Sequence, residues 1–439
     1  MSRHSGEQLG ISLHTEYPEH EKMRSFSYKE MSLKKQSLFH SAGSLALMGF
    51  QWLISVSLVR ISGYEDAGVF SLAMSLSNIF TMIANYGIRN LILTDYRRKY
   101  STAQYMAVRA FTCAAALLVC LCYINISAAY SLAERLSILF YLIYSLATIA
   151  CDTLMAYVQL NNHLEINGIS NIIRGCLGFA AFIAVIFITR SLVYAMAAMA
   201  VASVCVFLFF DVRKFMYICG VPGRIEYRQL GQSFAILKDG FPVMLSLVIP
   251  VTITAIPRIV IQSTLTTEML GYFSSIYTPA VLLSTVIPPL LVAGIPEVSR
   301  AWHEKQFRTL RKKLLLNYGI VVGAVIAALV ASIFLGRVVL RFVFGEEILQ
   351  YYHLLYFAIL TIGLNCFCVC GNNIIVAIGN KKLMVLFSMT ALLITWIGSG
   401  QMIESYGIYG AAFIAIIAYG IQSFLQIGYI LITIIQTRT

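Results

Sequence analysis

Three ionisable side chains, Asp152, Arg174 and Arg258, stand inside long apolar stretches of the chain, and Arg89 stands at the end of another. A charge at membrane depth is costly unless it finds water or a partner, so each position asks for an explanation. Arg258 follows Pro257 directly, in the last third of its apolar stretch. A guanidinium in an aqueous cavity attracts a phosphate or an acidic sugar and can bind it through two parallel hydrogen bonds. The competing reading is that Arg258 snorkels to the nearby membrane surface. Asp152 and Arg174 fall at matched depths of neighbouring stretches, which predicts a structural ion pair between them. The alternative is a gate or a cation-coupling site, because a buried carboxylate can titrate or take Na⁺. Arg89 closes its stretch together with Asn90. It is a candidate substrate contact at the inner mouth, against the plainer reading of a membrane anchor. Arg109 is expected to be an anchor of the same kind. Gln51, Asn78 and Asn85 are further polar groups available to a bundle interior.

Other chemistries lack their residues. There is no GxxxxGK[ST] run for a nucleotide and no HExxH zinc motif. The ten cysteines lie almost wholly in apolar stretches. Their one cluster, Cys366-Phe-Cys-Val-Cys370, turns neighbouring thiols to different helix faces with no histidine nearby, so packing is expected rather than a metal site. No enzyme activity and no cofactor are expected. Uphill transport would then draw on an H⁺ or Na⁺ gradient, or on consumption of the substrate on the far side.

The elements that hold these residues follow from composition. The chain has 439 residues, 59% of them apolar and only 12% charged, against about 25% charged in soluble domains. An ordinary cytoplasmic enzyme is excluded. A spanning helix uses roughly 20 apolar residues, so twelve would use about 240 and leave room for tails and loops. Twelve runs are marked off by polar breaks, near 38–59, 67–88, 105–126, 136–160, 167–189, 192–210, 241–263, 270–295, 315–336, 352–378, 383–401 and 407–433. Spans 5 and 6 are parted only by Arg190 and Ser191, which predicts a tight turn. Residues 1–37 are polar and contain no signal-peptide core. They are expected to form an N-terminal cytoplasmic extension, either disordered or a small interfacial element.

The expected fold is therefore an all-α polytopic membrane protein of two six-helix bundles, 38–210 and 241–435, joined by a cytoplasmic linker, 211–240. Of the 32 Lys and Arg, only Arg60, Arg135, Arg190, Arg337 and Arg341 fall on loops opposite the N-terminus, and Arg258 lies within a span. Basic residues favour the cytoplasmic side, which puts both termini in the cytoplasm. The net charge of +12 then reads as attraction to anionic phospholipid. Its dispersal over loops and the lack of a binding motif argue against nucleic acid.

The halves echo one another. Glu65-Asp-Ala-Gly68-Val-Phe70 follows span 1, and Glu268-Met-Leu-Gly271-Tyr-Phe273 follows span 7. Matched positions in a six-plus-six layout suggest duplication and a transporter that rocks between two states. Seven of the nine prolines, Pro242, Pro250, Pro257, Pro279, Pro288, Pro289 and Pro296, crowd spans 7 and 8. Proline removes a helix hydrogen bond, so Pro250, Pro257, Pro288 and Pro289 are helix-break candidates in a moving or cavity-lining pair. The alternative is static kinks.

On four stretches the chain resembles the bacterial polysaccharide flippases of O-antigen and exopolysaccharide type, within the multidrug/oligosaccharidyl-lipid/polysaccharide exporter superfamily. They are Gly63-Tyr-Glu-Asp-Ala-Gly-Val-Phe-Ser-Leu-Ala73 with Asn85-Tyr-Gly-Ile-Arg-Asn90; Gly240-Phe-Pro-Val-Met; Pro257-Arg258 followed by Glu268-Met-Leu-Gly-Tyr-Phe-Ser274; and Val376-Ala-Ile-Gly-Asn-Lys-Lys382 with Tyr406-Gly-Ile-Tyr-Gly-Ala-Ala412. The resemblance covers about 35–435. It implies a V-shaped pair of bundles around a central cationic cavity in the cytoplasmic (inner) membrane. It implies an undecaprenyl-pyrophosphate-linked oligosaccharide as substrate, a headgroup-binding role for Arg258, and a polysaccharide polymerase complex as a further partner. Relatives often carry an acid just before the basic residue of span 7; Pro257 stands there instead, without a local acid–base pair. The alternative is a cation-coupled multidrug extruder of the same superfamily, which would want deep acids where this chain has little beyond Asp152. A membrane scaffold would need neither cavity polar groups nor clustered prolines.

Overall fold

The computed structural model describes residues 31–95, 99–127, 130–221 and 227–438. Most of the N-terminal extension, together with Arg97, Arg98 and Arg224, lies outside the described residues. Among them, twelve helices are long and apolar enough to cross a membrane: Lys34–Ser62, Tyr64–Thr94, Thr102–Ile126, Leu132–Leu160, Leu164–Thr189, Leu192–Cys219, Ser233–Thr264, Thr267–Val292, Phe307–Phe344, Leu354–Ile378, Lys382–Tyr406 and Ile408–Gln436. They are spans 1 to 12. An even number puts both termini at one end of the bundle, called the terminal end below; the other is the distal end.

Every predicted span is present, and the differences are at the limits. Span 9 runs over Phe307–Phe344. The charges at Lys313 and Arg337 bounded its apolar run, but Lys and Arg are good helix formers, so the helix continues past both. Spans 5 and 6 part at Arg190, whose left-handed backbone (φ 53°) makes the tight turn. The linker is shorter than 211–240. Span 6 continues through a π turn at Phe207–Asp211 into Val212–Cys219, and the next helix begins at Tyr227. Asp211 therefore belongs to the membrane bundle.

The prolines do not interrupt their helices. Pro242, Pro250 and Pro257 lie within one continuous helix, Tyr227–Thr264, and Pro279, Pro288 and Pro289 within another, Thr267–Ala293. Nearby hydroxyls turn back onto the helix: Ser246 donates to the Val243 carbonyl and Thr254 to that of Val251. Pro296 instead starts the short helix Ile295–His303, where its missing N–H costs nothing.

The first bundle packs span 1 on 5, 5 on 6, 4 on 6, 2 on 4, and 3 on 2 and 4. The second repeats this pattern six spans later: 7 on 11, 11 on 12, 10 on 12, 8 on 10, and 9 on 8 and 10. The symmetry fails between the bundles. Span 2 packs closely on both 7 and 8, whereas spans 1 and 8 barely meet. A V opening at one end would part the bundles there. Instead span 2 meets span 8 at the distal end, while at the terminal end Tyr86 and Gly87 press on Gly240 and Val243 of span 7. The parting is sideways, between spans 1 and 8.

Candidate functional site

Span 2 is helical to Asn85 and then breaks. Tyr86 (φ 49°) and Gly87 (φ 67°) take left-handed conformations before the helix resumes over Ile88–Thr94. A break at depth leaves carbonyls without donors. Arg109 of span 3 supplies them: its Nη1 donates to the carbonyls of Ala84 and Asn85, and its Nε to Thr153 Oγ1 at 2.6 Å. Arg109 is therefore a buried brace, 3% exposed, and not the surface anchor expected.

The break presents Arg89 to span 4. Its Nη1 pairs with Asp152, and its Nη2 donates to Gln159 Oε1 at 2.6 Å. The two charged side chains keep 19% and 29% of their surface open, so a competing ion can reach them. His40 of span 1 faces the same pair, with its Nδ1 buried and unpartnered.

The expected Asp152–Arg174 pair is not formed. Arg174 Nη2 donates to Asp211 at 2.5 Å, and Ser170 Oγ donates to the other carboxylate oxygen at 2.6 Å. The Arg174 and Asp211 side chains are 1% and 0% exposed. Because span 6 extends through its π turn, Asp211 sits beside span 5 and takes the arginine that Asp152 was expected to hold. This pair is closed to water and serves the fold, not a gate.

Arg258 differs from all of these. It lies amid spans 7, 8 and 12, facing Tyr277 and Tyr419, yet keeps part of its surface open. Its Nη1 donates to the Thr254 carbonyl at 3.3 Å, and its Nε has no partner. Among the described residues no carboxylate pairs with it. The flanking phenols are fixed: Tyr277 donates to Thr361 Oγ1, and Tyr419 accepts from Asn365. Thr254, Arg258 and Gln262 recur at every fourth residue, hence on one helix face. Gln262 reaches the first bundle, where its Nε2 donates to Glu134 Oε1 at 2.9 Å, whereas Arg258 faces Tyr277 and Tyr419 of the second bundle. Tyr86 touches span 7 at Gly240, and Arg258 lies 18 residues further on. Arg258 and the span 2 break at Tyr86 are thus separated by roughly 27 Å of rise along span 7 at 1.5 Å per residue.

Sequence reasoning placed Asp152, Arg174 and Arg258 at depth and Arg89 at the inner end of its span, and missed Asp211, His40 and the Glu134–Gln262 bridge. The Asn85-Tyr-Gly87 turn signal could have marked the break. No metal-binding cluster occurs among the described residues. Cys366, Cys368 and Cys370 are buried, with Cys368 against Ser423 and the Tyr419 carbonyl. A groove of about 430 Å³ between spans 8, 9 and 10 is lined by Pro279, Leu283, Ala328, Leu335 and other uncharged residues. It offers a charged headgroup no partner.

The sequence family described as "Polysaccharide biosynthesis protein" matches residues 33–302. The capsular polysaccharide biosynthesis protein CapF of Staphylococcus aureus is 24% identical over 386 residues, covering 84% of this chain and 93% of CapF. Among solved structures, the lipid II flippase MurJ in an inward closed conformation superposes with a TM-score of 0.69 at 15% identity, over 90% of this chain and 87% of MurJ. A point mutant of the Vibrio cholerae MATE transporter VcmN gives 0.59 at 14% identity, over 90% of this chain and 94% of VcmN. The all-α fold with twelve spans is thus that of the multidrug/oligosaccharidyl-lipid/polysaccharide exporter superfamily. The chain belongs to the polysaccharide biosynthesis protein family.

Proposed function

We propose that this multi-pass membrane protein translocates a polyprenyl-pyrophosphate-linked oligosaccharide across the bacterial cytoplasmic membrane by alternating access, with both termini cytoplasmic. The observation that carries the reading is Arg258: a deep guanidinium, partly open, with no carboxylate paired to it among the described residues. Such a group is stable where water or an anionic ligand supplies the missing partner. Arg89 is the entry contact. A pyrophosphate arriving from the inner leaflet competes with Asp152 for its guanidinium and then moves toward Arg258. Asp152, released from Arg89, is the group that would take up H⁺ or Na⁺. The sideways parting of spans 1 and 8 lets the prenyl chain stay in lipid while the sugars pass between the bundles. A polysaccharide polymerase on the outer face would consume the product, and anionic phospholipid would hold the basic terminal end.

A multidrug extruder is disfavoured because Asp152, the carboxylate it would use, is engaged by Arg89. No bond of the substrate is made or broken, so no catalytic residue is assigned. The reading is tested by Arg258→Ala with Arg258→Lys as control, each at matched membrane level. Surface glycan should fall sharply in the first and partly recover in the second. Normal glycan output from Arg258→Ala would remove the headgroup role.

A further inference from the structure

The repeated Glu-x-x-Gly-x-aromatic motif is not spread through the fold; its two copies face each other. A Cβ on Gly68 would lie 1.8 Å from the carbonyl oxygen of Thr267, and one on Gly271 would lie 1.9 Å from that of Tyr64. Three residues on, Ser71 and Ser274 share a hydrogen bond at 2.5 Å, at a separation of 203 residues. The same separation relates Tyr64 to Thr267, Gly68 to Gly271 and Glu65 to Glu268. Each half therefore touches the other with the same surface, the geometry of a two-fold contact. Only glycine permits backbones to approach this closely. The Tyr64 and Tyr272 rings stack beside it, 3.9 Å between centroids.

Two side chains, Arg60 and Tyr64, break the symmetry. Arg60, at the end of span 1, donates through Nε to the Val343 carbonyl at 2.8 Å, and through Nη2 to the carbonyls of Arg341 and Phe342. These are the last carbonyls of span 9, and a cation is favoured at that negative helix end. Tyr64 adds a hydrogen bond to the Phe344 carbonyl at 3.0 Å. The residue 203 positions after Arg60 is Ser263, which bonds only within its own helix. The latch is thus single, set on a two-fold contact that closes through bare backbone at its centre. Parting the bundles at the distal end requires release of Arg60 and Tyr64 from the end of span 9, unstacking of Tyr64 from Tyr272, loss of the Ser71–Ser274 and Glu134–Gln262 hydrogen bonds, and separation of the glycine pair.

We propose that the duplicated motif is the distal gate of this transporter, closed by Gly68 against Gly271 and latched by Arg60 on the end of span 9. The assignment of this gate to flipping rests on the proposed function, whereas its closure does not. The test uses the full chain in native membranes with a Ser71→Cys/Ser274→Cys pair, because hydroxyls this close bring the β-carbons within disulfide range. Mild oxidation should form the S71C–S274C disulfide, mapped by mass spectrometry. It should abolish glycan export, and reductant should restore it; each single variant should export normally throughout. Absence of the disulfide, or normal export by the cross-linked chain, would overturn the gate. Independently of export, the S71C thiol should resist a membrane-impermeant maleimide and become severalfold more reactive when Arg60→Ala is added. Unchanged labelling would overturn the latch. Failure of the Arg258 test alone would leave the cross-link and the labelling in place, so the two readings can fail separately.

Discussion

Asp211→Ala should unfold this protein far more readily than Asp152→Ala. In the first variant Arg174, 1% exposed, loses its paired carboxylate and keeps an Nε already without a partner. Removing one member of a fully buried pair costs about 3–5 kcal/mol, because the remaining charge stays buried and uncompensated. Asp152 is 29% exposed beside an Arg89 that is 19% exposed, and Arg89 retains Gln159 as acceptor. Pairs open to water are worth about 0–1 kcal/mol. The gap between the variants should therefore exceed about 2 kcal/mol by these figures. Equilibrium unfolding of the purified proteins in one detergent measures it. The double variant Arg174→Met/Asp211→Leu should recover most of the loss, since a buried pair can be replaced by apolar side chains of similar volume. Equal destabilisation by Asp152→Ala and Asp211→Ala, or no recovery in the double variant, would refute the assignment of the pair.

Three other outcomes follow. Arg109→Ala should destabilise by about 1–3 kcal/mol for each carbonyl left bare at the span 2 break, and Arg109→Lys should not rescue it, because one ammonium cannot reach both Thr153 and the Ala84 carbonyl; thermal unfolding checks both. Gly87→Ala should also lower thermal stability, since its φ of +67° disfavours a side chain and the new Cβ would meet Val243 at 2.4 Å. Arg89→Ala should reduce glycan export with little change in unfolding, and Asp152→Asn should tighten binding of a pyrophosphate analogue by freeing Arg89; a titration showing weaker binding would count against their competition.

Much of the fold is legible in sequence because membrane crossing is a coarse requirement. Each span needs only a long apolar run, and twelve such runs, even the pair split at Arg190, stand out from polar breaks. The duplicated Glu-x-x-Gly motif was also visible, although its self-contact was not, since no single-chain pattern says which faces meet. The ion pairs were the harder part. Depth along the sequence matched Asp152 to Arg174, but helix rotation decides partners. Span 6 also runs on to Cys219, about two and a half turns past its apolar run, which brings Asp211 into the bundle. Arg109 shows the same limit. Its place near the end of an apolar run suits an anchor, and only the break at Tyr86–Gly87 reveals the carbonyls it serves. The prolines end no helix: Pro250, Pro257, Pro288 and Pro289 lie inside continuous helices.

The central claim is that Arg258 holds the anionic headgroup during translocation. It is tested most directly in proteoliposomes loaded with a polyprenyl-pyrophosphate-linked oligosaccharide, where an impermeant lectin reports the sugars that reach the far side. A charge-assisted hydrogen bond to the headgroup is worth about 1.5–3 kcal/mol, so Arg258→Ala should slow translocation by roughly 10- to 150-fold. Arg258→Glu should abolish it, with unfolding of both variants close to that of the parent. Translocation by Arg258→Glu at the parent rate would contradict the account.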